Sequence, residues 1–215
     1  MFPPFTHHQG DAVAKDPKEA IDSYITDMLA LEQHIEKAIR GQLQDIKDDP
    51  EFVRELQPIH RKIEHHISDL KGLADRREAT GAADLLKKAG SAVAGLAAGA
   101  IDLLRTEGLP KNLRDDYAAF SLAAIGYVML HTTALALGER EVADLARQHF
   151  IDYAQLVTRL NAVVPEAVLR FLQREGLAPT GTDVVLGEVS RAVEEGWRRP
   201  EELARPGATA AASRL

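Results

Sequence analysis

An all-α fold is what this 215-residue sequence predicts, and three observations carry the prediction. Long stretches repeat apolar residues at steps of three and four, the period of a helix with one face in a core. No segment sustains the period-two alternation of a strand, and β-branched residues do not cluster between turn signals. Proline and glycine fall where such helices would start and stop. The architecture expected is four long helices around one core, with a helical crossover in mid-chain and additional C-terminal helices. The divisions are an N-terminal arm over 1–15, the helical domain over 16–175, a helix over 176–200 that packs on it or on a partner, and a tail over 201–215.

The first helix is expected over 17–40. Asp16, Pro17 and Glu19 supply a capping residue, a proline at the first helical position and a carboxylate in the first turn. Ile21, Ile25, Met28, Ile35 and Ile39 form its apolar stripe, and Glu32 fills the rung they leave open. Gly41 should close it. Asp49 and Pro50 repeat the start signal, and Phe52, Leu56, Ile59, Ile63, Leu70 and Leu73 make the second stripe, interrupted by His66. Pro58 should kink or divide that helix near Gln57. The Ala- and Gly-rich stretch over 80–108 reads as the crossover.

The third pattern runs Leu113, Tyr117, Phe120, Ala124, Tyr127 and Ala134, with His131 inside it. Beyond Asp115 and Asp116 it is apolar nearly all round, which predicts deep burial or a partner as well as a core. Gly138 ends it. The fourth pattern has Val142, Leu145, Leu156, Leu160 and Val163, and His149 and Asp152 interrupt it. Pro165 should open a shorter helix through Leu172, and Val184, Val185, Val189, Val193 and Trp197 form a last amphipathic stripe.

A polar group left unpaired in a core costs about 1 to 3 kcal/mol. One or two on each of four apolar faces therefore need partners, and helical bundles build metal sites in this way. Glu32, His66, His131, His149 and Asp152 are the candidate ligands, and their nitrogen and oxygen atoms suit one divalent ion, iron, manganese or zinc. The competing reading has no cofactor: the rings donate to backbone carbonyls or to Asp152. His60, Glu64 and His65 read as edge groups, and the DRRE run at 75–78 as a solvated helix end.

A hydrophobic content of 45% over this length suffices for one full core. A net charge of −7 without a basic stripe argues against nucleic acid as a partner. The absence of cysteine removes disulfides and thiol chemistry. No signal-peptide pattern opens the chain, and no run of about 18 uninterrupted apolar residues suggests a membrane span. A soluble, cytoplasmic protein is the expectation, and the terminal Ser-Arg-Leu carries little weight as a targeting address. No phosphate loop, nucleophile elbow or catalytic triad pattern occurs, so an enzyme is not expected.

The first helix, YITDMLALEQHIEKAI, resembles the opening helix of the YciF-like branch of ferritin-like stress proteins, with an Asp, a Glu and a Lys-Ala pair at the same relative spacing. The similarity continues through LKKAGSAVAGLAAGAIDLL and the long apolar helix to Leu137 and Gly138, spanning about Lys18 to Val163. The resemblance implies a ferritin-like four-helix bundle, often dimeric, with a two-metal carboxylate site and a loose link to stress responses. Of the family's four carboxylates and two histidines, Glu32 and His66 carry over by position. Gly126 and Met129 stand where a third-helix glutamate is expected, Lys62 or a shifted Glu64 where a carboxylate should precede the second-helix histidine, and His149 and Asp152 replace a Glu and His pair. Two functional classes follow: a metal-free structural or interaction module that forms a homo-oligomer, and a metal-binding bundle with redox or metal-handling activity.

Overall fold

The computed structural model describes residues 16–47, 49–79 and 108–204, which lie in five helices and the turns between them. These are α1 Pro17–Asp45, α2 Pro50–Ala79, α3 Leu109–Ala136, α4 Arg140–Arg174 and α5 Thr182–Ala204. The all-α prediction holds, and the described residues contain no strand. The start signals work as local chemistry requires. Asp16 Oδ1 accepts from the Lys18 N–H at 2.9 Å, and Asp49 Oδ1 accepts from the Phe52 N–H at 3.5 Å. Between α3 and α4 the chain turns at Gly138, whose φ of 78° suits a residue without a Cβ.

α1 packs against α2 and α3, while α4 packs against α2, α3 and α5. Contacts at the helix ends fix their directions. Arg77, late in α2, bonds Asp22 of early α1 at 2.6 Å and Glu139, just before α4, at 3.0 Å. At the opposite end Gln42 of late α1 donates to Asp116 of early α3 at 2.8 Å, and Arg174, the last residue of α4, pairs with Asp49 ahead of α2. So α1 and α4 run one way, α2 and α3 the other. The chain between α2 and α3 therefore joins opposite ends of the domain.

The stripes read from the sequence form the core. Ile21, Ile25, Ile35, Leu56, Ile63, Leu70, Phe120, Tyr127, Leu156 and Leu160 are all buried. At roughly 1.5 to 3 kcal/mol for each large apolar side chain removed from water, this burial drives the fold.

Several expectations give way to tertiary packing. Gly41 does not end α1, which continues to Asp45 because Gln42 is buried against Asp116. Pro58 neither divides nor ends α2, and Pro165 lies inside α4 rather than opening a new helix. A mid-helix proline costs about 3 kcal/mol. Flanking core residues, Leu56 and Ile59 around the first proline, Leu160 and Ala167 around the second, hold both helices across it. Arg77 is buried and paired, so the run at 75–78 is not simply a solvated end. α5 extends to Ala204, into the span read as tail. The arm with His7 and His8, the crossover and the terminal Ser-Arg-Leu lie outside the described residues.

α3 is less buried than its composition predicts. It is long and apolar enough to cross a membrane by length and hydropathy, yet only 28% of that window is buried. Counting uninterrupted apolar residues misses this window, because Ser121, Gly126, His131 and the threonines are scattered through it. Its inner face carries Tyr127 and Asp116, both bonded to α1, which is the work of a core helix. Its outer face presents Leu122, Ile125 and Met129, each about half exposed.

Candidate metal centre and its hydrogen-bond network

Glu32 sits at the middle of α1 on the inward stripe and is completely buried. Its carboxylate collects three contacts from three other helices. Tyr127 of α3 donates to Oε1 at 2.6 Å, Tyr153 of α4 donates to Oε2 at 2.6 Å, and His66 Nδ1 of α2 lies 3.2 Å from Oε1. Each phenol is wholly enclosed, and a buried tyrosine hydroxyl requires such an acceptor. Burial, followed by the charge of Glu32, holds the hydroxyl pKa of both tyrosines well above 10. They remain donors.

The network continues outward. His66 Nε2 lies 3.1 Å from Asp152 Oδ2, and Lys62 Nζ donates to Asp152 Oδ1 at 2.6 Å. Both nitrogens of His66 thus face carboxylate oxygens, which calls for a hydrogen on each. Burial pulls the His66 pKa down, but the hydrogen bonds and charges of Glu32 and Asp152 outweigh it and leave the pKa raised. For Asp152, burial pushes the carboxyl pKa up, and Lys62 and His66 together bring it below the ordinary value. The charges alternate in sign from Glu32 to Lys62. Desolvation is offset only when buried charges are paired in this way.

His149 lies against the network without sharing its bonds. Its ring stacks on that of His66 at 3.9 Å between centroids and 22° between planes, and meets Tyr127 edge-on at 5.0 Å. Nε2 is 3.3 Å from Asp69 Oδ2, while the buried Nδ1 has no partner among the described residues. Burial, then the adjacent His66 charge, pulls the His149 pKa down to about 4, against a smaller upward pull from Asp69 and Glu32. Near neutral pH this is a neutral ring with a free lone pair, and Glu32, His66 and His149 can each offer an atom with all three within 4.8 Å of one another.

Of the five predicted ligands, Glu32, His66, His149 and Asp152 come together around the His66 ring. His131 does not join them. It is half-buried and bonds the Ala143 carbonyl through Nδ1 at 2.8 Å, which ties α3 to the start of α4. Gly126 and Met129 provide no ligand either. A Cβ at Gly126 would stand 2.7 Å from Met28 Sδ, so a glutamate there would have to displace that side chain, and Met129 is 48% exposed on the outer face. His60, an edge group in the sequence reading, is mostly buried and bridges Glu36 at 2.8 Å and Glu64 at 3.5 Å.

Tyr127, Tyr153, Asp69 and Lys62 were not legible as members of the site. Tyr127 lies on the predicted α3 stripe and passes for core, while Tyr153 follows Asp152 by one residue and His149 by four. The available signal was chemical rather than periodic: two buried phenols need acceptors, and Glu32 is the acceptor at their depth.

Comparison with family models, with curated proteins and with solved structures finds no match for this chain.

Proposed function

We propose that this protein is a ferritin-like four-helix bundle that works as a metal-free structural and interaction module. The observation that carries the reading is saturation of the central groups by protein hydrogen bonds. Both Glu32 oxygens accept from tyrosines, and both His66 nitrogens face carboxylates, so the residues that resemble a metal site bond one another. The parallel course of α2 and α3, which requires one long connection, is the topology of ferritin-like bundles and supports that fold assignment. The family's association with stress responses extends to this chain as part of the same proposal.

A second reading is kept because of one atom. The buried, unpartnered Nδ1 of His149 beside Glu32 and His66 suits a single divalent ion. Such an ion would supply Lewis-acid or redox chemistry to groups held by Glu32, His66 and His149. Two ions do not fit, since α3 brings Gly126 and Met129 where a carboxylate would be needed. Elemental analysis separates the readings. Untagged protein incubated with iron(II), manganese(II) and zinc, then desalted, should retain far less than one equivalent of any of them. One equivalent that disappears in both Glu32→Gln and His66→Ala would establish the metal reading instead.

The interaction role rests on the outer face of α3. No charged residue occurs between Tyr117 and Gly138, and Leu122 and Met129 line the exposed side together. Exposed apolar stripes of this kind mark association surfaces, and a homodimer is the assembly we propose. By light scattering the wild type should be dimeric at micromolar concentration. Leu122→Asp combined with Met129→Asp should weaken the dimer by about a hundredfold, as burial of two unpaired carboxylates from each protomer at an interface would demand. A dimer unaffected by both changes would place the interface elsewhere.

A further inference from the structure

We infer that the groove between α3, α4 and α5 is a binding site for an amphipathic cation, a small molecule with an apolar body and an ammonium or guanidinium head. The groove has a volume of about 800 Å³, within the range of ligand clefts. Ile125 and Val128 of α3, Phe150 and Val157 of α4, and Val193 and Trp197 of α5 line it. Such a lining accepts an aliphatic or aromatic body.

Its polar groups select the sign of the head. The lining contains Glu166 and Glu194 and no lysine, arginine or histidine. Glu166 has Arg170 one turn away, whereas Glu194 makes no ion pair among the described residues. Two of the three hydroxyls that line the groove have spent their hydrogens on their own helices. Ser121 donates to the Tyr117 carbonyl at 2.8 Å and Thr158 to the Ala154 carbonyl at 2.9 Å. Their oxygens therefore offer lone pairs, as the two carboxylates do. The indole of Trp197, 48% exposed, adds a π face that attracts cations. An anionic head would meet two like charges, with Asn161, Ser190 and the Trp197 indole as its side-chain donors, while a cationic head finds both counter-charge and acceptors. This site shares no residue with the Glu32 network and stands whether or not that network holds a metal.

Trp197 is the only tryptophan of the chain, so its fluorescence reports on the groove directly. The probes are dodecyltrimethylammonium, dodecanoate and dodecyl maltoside, each below its micelle concentration, with light scattering on the same samples to follow association of the protein. The expected result is a saturable Trp197 response to the cation at constant particle mass, with the anion and the neutral amphiphile at least tenfold weaker. Combining Glu166→Gln with Glu194→Gln should weaken the cation about tenfold and erase the preference. Glu188→Gln, exposed on α5 outside the groove, should change nothing. All variants should keep the wild-type melting temperature. Equal affinity for the three probes, a double variant that binds the cation as wild type does, or no saturable response would each overturn the inference.

Discussion

Glu32→Ala is expected to lower the unfolding free energy by about 4 kcal/mol. The substitution removes the acceptor for two buried phenols and the counter-charge of a buried imidazole in one step. A buried donor left without an acceptor costs about 1 to 3 kcal/mol, and three such losses share one site, so they do not sum fully. In a domain with total stability on the order of 5 to 15 kcal/mol, the consequence is a melting temperature lower by roughly 10 °C. Glu32→Gln keeps one strong acceptor and the side-chain volume, and should lose about half as much. Urea unfolding of the three proteins, at one pH and with equal m-values, makes the comparison. Equal stability of wild type and Glu32→Ala would mean that the carboxylate does not hold the centre together.

Asp116→Asn is expected to stabilise the protein at pH 8 and to leave it nearly unchanged at pH 4. Asp116 is buried at the end of the core, where Oδ1 accepts from Gln42 and Oδ2 has no partner among the described residues. Burial, with a further push from the neighbouring Asp115 charge and against the Gln42 hydrogen bond, raises its pKa from 3.8 to about 7. The folded state thus holds a proton that the unfolded chain gives up near pH 4. Stability from this group is fully present below that value and is lost as pH rises towards 7. The loss is about 4 kcal/mol at most, from 1.36 kcal/mol per pKa unit. An asparagine presents the same shape without the charge and should escape it.

His149 acts in the opposite direction. Its pKa is lowered to about 4, so the unfolded chain binds the proton more readily and stability falls as pH drops from 6.5 towards 4. The wild-type profile should therefore be nearly flat between pH 4 and 6.5, and the difference between wild type and Asp116→Asn isolates the carboxyl. Parallel profiles from pH 4 to 8 would show that Asp116 does not titrate in this window.

Much of the fold was legible in the sequence because helical periodicity reports which side chains face inward. Glu32 and His66 stood out for that reason, as polar residues on otherwise apolar rungs, and both are buried. The cap at Asp16 and the turn at Gly138 were legible because the chemistry is local. Periodicity failed where a distant contact overrode a local rule: Gly41 stays helical because Gln42 meets Asp116, and two prolines remain inside helices held by their neighbours' burial.

The sequence by itself determined the class of fold, the inward stripes and the presence of unusual polar groups among them, since each depends on residues within a few turns. Only the tertiary structure decided the partners of those groups. His131 and His66 look alike in sequence, each a histidine on an apolar stripe, yet one bonds a backbone carbonyl and the other bridges two carboxylates. The difference lies in depth along the helix and in what the adjacent helix presents at that level. A hydrogen bond acts over about 3 Å, and only the relative placement of four helices brings Tyr127, Tyr153 and His66 that close to Glu32.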